Sequence, residues 1–119
     1  MDDTAEGEPG LDVVTTQLGS PRVFVITLRG DADLFTHPLV EETFTRAGES
    51  GLPLVVDLSA LAYGDELLLG LLLKARFSGE LALVGPICDS FRRRLSITGT
   101  ESAFDTHASL RDALAGFAR

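Results

Sequence analysis

The sequence is poor in cysteine and in positive charge, and each shortage excludes a class of protein. Cys88 is the one cysteine among 119 residues, so no disulfide can form within the chain. A lone cysteine is most often a small, buried apolar residue, and we expect this of Cys88. The 10 Lys and Arg are outnumbered by 18 Asp and Glu, which gives a net charge of −8. Nucleic-acid binding is therefore not expected, because phosphate contacts require clustered cations.

Long hydrophobic runs are also missing. The longest apolar run covers residues 67–73, far short of the roughly 20 residues that a bilayer-spanning helix needs. No apolar segment headed by cations opens the sequence, so we expect no signal peptide. We therefore predict no direct membrane insertion and a cytoplasmic location.

Motifs that accompany catalysis, metal binding and nucleotide binding do not occur. His37 and His107 are far apart in the sequence, and no metal site is expected from them. Neither the G-x-S-x-G nucleophile motif nor a glycine-rich phosphate-binding motif occurs. These absences predict a protein that is not an enzyme and uses no cofactor. The run Arg92-Arg93-Arg94 predicts a solvated helix face, with contact to an acidic partner as the alternative.

The composition that is present is that of a globular protein. Hydrophobic residues make up 45% and charged residues 24%, and the length is that of one domain. Residues 1–10 are acidic and contain Gly and Pro, which predicts a disordered tail. Residues 11–119 then form the predicted folded domain.

Strand and helix patterns alternate along this domain. Runs rich in β-branched residues indicate strands, and apolar residues at helical spacing, with Pro38 in a first turn and glycines as terminators, indicate helices. The predicted strands cover residues 12–17, 23–28, 52–58, 81–84 and 104–106, and the predicted helices cover residues 38–47, 65–77 and 89–97 and a last segment from residue 109. The first two strands predict a hairpin, and the later alternation predicts parallel pairing. The expected fold is α/β, with a mixed, mostly parallel sheet of about five strands and about four packed helices.

The helix from residue 65 opens on two acids. Asp65 is a good N-cap residue, and Glu66 would then be the first helical residue. A carboxylate in that position is stabilised by the helix dipole by about 0.3–1 kcal/mol. Both acids are therefore explained by helix initiation alone, and any role in binding is an addition to this.

The leucines of this helix fall on two faces. At 100° per residue, one face should pack on the sheet and consists of Leu69, Leu72, Leu73 and Phe77. The other face contains Leu67, Leu71 and Lys74, with Leu68 beside them. Leucines that border solvent predict a contact surface. A helix that is buried on most sides is the alternative explanation.

Five short motifs follow one another along residues 13–115. They are Gly30-Asp31-Ala32-Asp33, Asp57-Leu58-Ser59, the segment 65–73, Leu83-Val84-Gly85-Pro86, and the segment 93–99 with the later Phe104. In this order and spacing they resemble the G-E-L-D-type loop, D-L-S, D-S-S-G-L-G-x-L-L, L-V-G-P and R-x-L-x-x-T-G motifs of the STAS domain family, the anti-sigma factor antagonists. Each motif is weak alone, and the five together are distinctive.

The resemblance implies a STAS-like fold and a part in bacterial transcription regulation by partner switching. Members of the family bind an anti-sigma factor that is also a serine kinase. Phosphorylation of the first serine of D-S-S-G ends this binding, because a phosphate adds about −1.5 to −2 charge to an apolar contact surface. In this sequence Glu66 stands at the phosphorylatable serine, Leu67 at the next serine and Leu68 at the glycine. Asp33 and Asp65 match acidic residues of the family pattern.

Two consequences of Glu66 are open. It either mimics phosphoserine and weakens kinase binding, or pairs with a basic residue of a different partner while leucines supply the buried area. We favour the second, and predict a phosphorylation-independent module whose partner-binding residues are Asp33, Asp65, Glu66, Leu67, Leu68, Leu71 and Lys74. The partner would be an anti-sigma factor with kinase activity or another protein. An accessory subunit of a lipid or solute transport ATPase and a homodimer through the leucines are the alternatives.

Overall fold

The computed structural model describes residues 4–118, and side chains from residue 5 onward. Over this range the chain forms six strands and four helices, and a short 3-10 turn at Glu101–Ala103. The strands are β1 Thr4–Glu8, β2 Leu11–Leu18, β3 Val23–Ala32, β4 Leu54–Gly64, β5 Leu81–Val84 and β6 Asp105–His107. The helices are α1 His37–Ser50, α2 Glu66–Ser78, α3 Asp89–Thr98 and α4 Leu110–Ala115.

The strands lie side by side in the order of the sequence. β1, β2 and β3 are antiparallel neighbours, whereas β3, β4, β5 and β6 are parallel. The predicted α/β fold, with a hairpin followed by a parallel sheet in a single compact domain, is confirmed. The sheet has one strand more than the five expected.

The additional strand is β1, and it corrects the predicted disordered tail. Residues Thr4–Glu8 pair antiparallel with β2, and Glu6 lies opposite Val13. The Glu6 carboxylate also lies 3.3 Å from the guanidinium of Arg46 on α1. β1 covers an edge of β2 that would otherwise present unpaired backbone groups. Residues 1–3 of the predicted tail lie outside the described residues.

Both faces of the sheet are covered. Helices α1, α2 and α3 pack on one face, over a core whose fully buried members include Ile26, Leu28, Leu58, Leu72 and Phe91. Helix α4 covers the other face over a smaller core formed by Val23, Val25, Val55, Ala82, Val84, Ala113 and Phe117. No helix among residues 4–118 is both long enough and apolar enough to cross a membrane.

Several element boundaries differ from those predicted, and the ends of α1 and β4 differ in ways that bear on the fold. Helix α1 ends at Ser50 and is capped by Gly51, which lies in the left-handed region at φ 70°, whereas Gly48 lies inside the helix. Strand β4 continues to Gly64, because it pairs with β3 as far as Ala32, with two register shifts on the way. The end of β3 and the end of β4 therefore stand side by side just before α1 and α2 begin.

Candidate functional site

The loop between β3 and α1 is held in one conformation by its own side chains. The Asp33 carboxylate accepts hydrogen bonds from the backbone N–H groups of Phe35 at 3.0 Å and Thr36 at 3.1 Å. The buried Thr36 hydroxyl donates to the Asp31 carbonyl at 3.0 Å, and its oxygen accepts from the Asp33 N–H at 2.9 Å. Leu34 and Phe35 at the tip are 69% and 86% exposed. A fixed loop thus presents two large apolar side chains to solvent.

The turn between β1 and β2 packs closely against the end of β3 at Gly30, just before this loop. Gly30 has φ 112°, and a Cβ there would overlap the carbonyl oxygen of Gly10 in the turn. That same oxygen accepts a hydrogen bond from the Asp31 N–H at 2.7 Å. Only glycine tolerates both the backbone conformation and the close approach. The predicted G-E-L-D-type motif therefore begins with a glycine that the packing requires.

Helix α2 begins beside the loop. Asp65 is the N-cap residue, as predicted, and its carboxylate accepts from the Leu68 N–H at 3.0 Å. The Asp65 N–H donates to the Ala32 carbonyl at 3.1 Å, which ties the start of α2 to the end of β3. Glu66 is the first helical residue and its side chain is exposed. Two carboxylates therefore lie at the positive end of the helix dipole.

A shallow cleft joins the loop to the helix. It is lined by Ala32, Asp33, His37, Val40, Asp65 and Leu68. The structure therefore brings together Asp33 and Asp65, which are 32 residues apart in the sequence. At the rim of the cleft, Nε2 of His37 lies 3.6 Å from a carboxylate oxygen of Glu41. Within residues 4–118 no group of three His, Cys, Asp or Glu side chains is arranged to hold a metal ion.

The leucines of α2 are less exposed than predicted. Leu67 is 37% exposed, but Leu68 is only 1% exposed, and Leu71 is half-buried against the core. Leu68 is buried because Gly64 at the end of β4 leaves space for its side chain. The expectation that Leu68 borders solvent is therefore wrong, and the leucine contribution to a contact surface falls mainly on Leu67.

The other end of α2 also differs from prediction. Phe77 is 79% exposed rather than packed on the sheet, and Leu73 is half-buried. At 100° per residue Phe77 lies about 140° around the helix axis from the fully buried Leu72, so it is off the sheet-facing side of α2. Lys74 is exposed, as expected, and stands about 12 Å along the helix axis from Glu66 at 1.5 Å per residue.

Sequence reasoning missed the exposed pair Leu34 and Phe35. The available signal was the spacing of Asp33 and Thr36 around them, since Asp and Thr side chains commonly bond backbone groups in turns. Tyr63 at the end of β4 was missed as well, and it is also exposed. Asp65 and Glu66 were predicted from helix initiation and from the family motifs, and Asp33 from the family motifs alone.

Of the comparisons with known proteins, only the one with solved structures finds matches, and these identify the fold. No family model matches this chain, and neither does a curated protein. Among solved structures, an anti-sigma factor antagonist from Mycobacterium paratuberculosis is similar at a TM-score of 0.71 and 23% identity, covering 97% of this chain and 92% of that one.

The anti-sigma factor antagonist SpoIIAA is similar in both of its forms. The unphosphorylated form has a TM-score of 0.69 at 16% identity, covering 88% of this chain and 99% of that one. The phosphorylated form from Bacillus has a TM-score of 0.65 at 18% identity, covering 87% and 99%. Likeness at these identities confirms the predicted STAS-type fold.

Proposed function

We propose that this protein is a regulatory protein-binding module that acts in the manner of an anti-sigma factor antagonist, without phosphorylation at the usual position. The fold supports a role of this kind, because its solved neighbours are anti-sigma factor antagonists. The proposed binding surface lies where the β3–α1 loop meets the start of α2. We call it the acidic corner, and it consists of Asp33, Leu34, Phe35, Asp65, Glu66 and Leu67.

The exposed apolar side chains of the acidic corner carry this proposal. Leu34, Phe35 and Leu67 border solvent on a loop and a helix end that are otherwise fixed by hydrogen bonds. Burial of a large apolar side chain contributes about 1.5–3 kcal/mol, so three of them supply a substantial part of a binding free energy. Because the loop is already ordered, little conformational entropy is lost when a partner binds.

Glu66 gives the surface a permanent negative charge. A serine kinase transfers phosphate to a hydroxyl, which glutamate lacks, and the glutamate charge is smaller than that of a phosphoserine. We infer that a basic residue of the partner pairs with Glu66 at the rim of the apolar contact. A charge at the rim contributes more to the association rate and to partner choice than to affinity.

The proposal is tested with purified anti-sigma factor kinases from the same organism, immobilised and probed with this protein with and without ATP. We expect binding that ATP leaves unchanged, and binding that becomes ATP-sensitive in Glu66→Ser because the variant restores a hydroxyl. Phe35→Ser should weaken binding by about tenfold or more, since it removes buried apolar area.

Charge controls make the result specific. Glu66→Lys should weaken binding, whereas Glu49→Lys, an equal charge change at the far end of α1, should not. Phosphate found on the wild-type protein at the start of α2 would contradict the proposal. Binding by Glu66→Ser but not by the wild type would instead identify Glu66 as a phosphoserine mimic. Binding to a transport ATPase, and to none of the kinases, would favour the accessory-subunit alternative.

A further inference from the structure

The outer edge of strand β1 is an open edge of the sheet. β1 is five residues long, Thr4–Glu8, and it pairs with β2 on one side only. Its side chains from Ala5 to Glu8 are exposed. The strand at the opposite edge of the sheet, β6, has only three residues. Of the two edge strands, β1 is therefore the longer template to which another strand could be added.

The register of β1 shows which of its backbone groups are unpaired. Glu8 lies opposite Leu11 across the two-residue turn Pro9-Gly10, and residues that flank such a turn exchange both backbone hydrogen bonds. Hydrogen-bonded and non-hydrogen-bonded pairs alternate from there, so the N–H and C=O groups of Ala5 and Gly7 point away from β2. Within residues 4–118, neither residue takes part in a backbone hydrogen bond outside the strand ladders. Two donors and two acceptors, spaced as in a sheet, therefore face solvent.

A hydrogen bond on the other side of β2 supports this orientation. The Asp31 N–H on β3 donates to the Gly10 carbonyl in the β1–β2 turn, so odd-numbered residues of β3 turn their backbone groups toward β2. Arg29 and its partner Asp12 on β2 are therefore a hydrogen-bonded pair. Asp12 thus directs its backbone groups to β3 and not to Gly7, which lies opposite it in β1. The backbone groups of Gly7 consequently face outward.

The two faces of β1 differ in chemistry. Glu6 and Glu8 point to one face, where the Glu6 carboxylate lies 3.3 Å from the guanidinium of Arg46. Ala5 and Gly7 point to the other face, and among the described residues the core under α4 includes none from β1. Half-buried Val14 lies opposite Ala5 on that face. One face of the edge is thus acidic, and the other is small and apolar.

Charge argues against pairing of this edge with a second copy of the chain. The longest antiparallel pairing of two β1 edges places Ala5 opposite Gly7 of the other copy, and it places the two Glu6 side chains directly opposite each other. Like charges in that position are destabilising. The first ten residues also contain four acidic side chains and no basic ones. An incoming strand with cations on the face of Glu6 and Glu8 is attracted instead.

We propose that the outer edge of β1 binds an extended segment of a partner protein in which lysine or arginine alternates with apolar residues. The segment adds to the sheet as a further strand, and its backbone pairs with Ala5 and Gly7. Its cations lie beside Glu6 and Glu8, whereas its apolar side chains cover Ala5. This surface shares no residue with the acidic corner, and the inference does not depend on the proposed function.

Amide hydrogen exchange of the full chain, followed by NMR, tests the proposal residue by residue. In the free protein the amides of Glu6 and Glu8 should exchange more slowly than those of Ala5 and Gly7. The probe is a short peptide of alternating lysine and valine, blocked at both ends. In excess, it should slow exchange at Ala5 and Gly7 by about tenfold or more. Unchanged exchange at these two amides with about 1 mM peptide overturns the proposal.

A peptide of the same composition, with its lysines and valines in separate blocks, is the matched control. It carries the same charge but cannot place cations on one face of a strand and apolar side chains on the other. It should therefore bind more weakly than the alternating peptide. Equal binding of the two peptides overturns strand addition in favour of general charge attraction.

Proline substitution tests the backbone contact directly. Ala5→Pro removes an outward N–H and keeps the bonds to β2, because proline is tolerated on an edge strand where its nitrogen faces solvent. It should raise the dissociation constant of the alternating peptide about three- to tenfold, whereas Ala5→Val keeps the N–H and should bind as the wild type does. Glu8→Lys should weaken binding, and Glu49→Lys, the same charge change on α1, should not. Wild-type affinity in Ala5→Pro overturns the proposal.

Two further outcomes overturn the proposal and identify another contact. Exchange at Ala5 and Gly7 that slows with protein concentration alone would identify a second copy as the occupant. Protection by the peptide at Leu34 and Phe35, with none at β1, would assign the peptide to the acidic corner. Ala5→Pro leaves the acidic corner intact and should bind the immobilised kinase as the wild type does, so this inference and the proposed function can fail separately.

Discussion

Leu68 and Gly64 share one packed site under the start of helix α2. A Cβ at Gly64 would lie 2.9 Å from Cδ2 of Leu68 and 2.7 Å from Cδ1 of Phe91. Both distances are well inside van der Waals contact, and Phe91 is fully buried and has little room to move. The bulk of Leu68 and the lack of a side chain at Gly64 therefore depend on each other.

This dependence predicts a non-additive pair of substitutions. Gly64→Ala should lower the free energy of unfolding by about 1–3 kcal/mol through overpacking, and Leu68→Ala by about 2–5 kcal/mol through a cavity. The double variant should lose less than the sum, because the methyl group added by Gly64→Ala partly fills the space that the Leu68 side chain vacates. Urea denaturation of the four proteins measures the coupling free energy, and strict additivity would refute the shared site.

Gly70 is the matched control for the glycine substitution. It lies in the interior of the same helix, is exposed, and a Cβ there would meet nothing within 4 Å. Gly70→Ala should therefore raise the free energy of unfolding by about 0.5–1 kcal/mol through helix propensity alone. Opposite signs at Gly64 and Gly70 would show that packing, and not the loss of a glycine, destabilises the first variant.

Residues with a local role were predicted correctly, whereas the burial of two side chains on α2 was not. Asp65 was identified as an N-cap because capping depends on the next three residues only. The burial of Leu68 and the exposure of Phe77 were missed because the predicted sheet-facing side of α2 was centred at the wrong angle. At 100° per residue Leu68 lies about 40° around the axis from the buried Leu72, whereas Phe77 lies about 140° from it.

At the scale of elements, the cap of α2 is the clearest feature that couples the site to stability. Asp65 holds the Leu68 N–H at 3.0 Å, and Ser109 holds the Asp112 N–H at 3.1 Å at the start of α4. Both are single side-chain caps of the same geometry. They differ in charge, since only the aspartate also interacts with the helix dipole as an anion.

Removal of either cap should have a measurable cost. Chemical denaturation should show that Ser109→Ala lowers the free energy of unfolding by about 1 kcal/mol, and that Asp65→Ala lowers it by about 1.3–2 kcal/mol because it loses the charge as well as the cap. Asp65→Asn keeps a capping oxygen and should lose only the charge contribution of about 0.3–1 kcal/mol. An asparagine variant as unstable as the alanine variant would show that the carboxylate acts mainly through its charge and not as a hydrogen-bond acceptor.

Elements with their own hydrophobic pattern were predictable, and β1 was not. β5 was predicted to the residue, because Leu81–Val84 is a buried run ended by Gly85-Pro86. β1 has exposed side chains from Ala5 to Glu8, so nothing in its pattern distinguishes it from a loop. It is stabilised by pairing with β2, which is a property of the partner strand. The extension of β4 to Gly64 was missed for the same reason, since it follows from pairing with β3.

At the scale of the whole molecule, the two cores share the same strands. Val25 and Val55 belong to the core under α4, whereas their chain neighbours Ile26 and Val56 belong to the core under α1, α2 and α3. Successive strand residues point to opposite faces, so a strand cannot leave one core without leaving the other. The order of strands and helices was predictable from the sequence patterns. That the two cores share the same strands follows only from the register in which the strands pair.

Shared strands predict that the molecule unfolds in one step. Phe91→Ala in the larger core and Phe117→Ala in the smaller core should each lower the free energy of unfolding, by about 3–5 kcal/mol for the fully buried Phe91. In both variants far-UV circular dichroism, which reports helices, and the near-UV signal of the remaining aromatic residues should share one midpoint. A separate early transition in Phe117→Ala would show that α4 and its core form an independent unit. The acidic corner would then rest on the strands and the three helices of the opposite face alone.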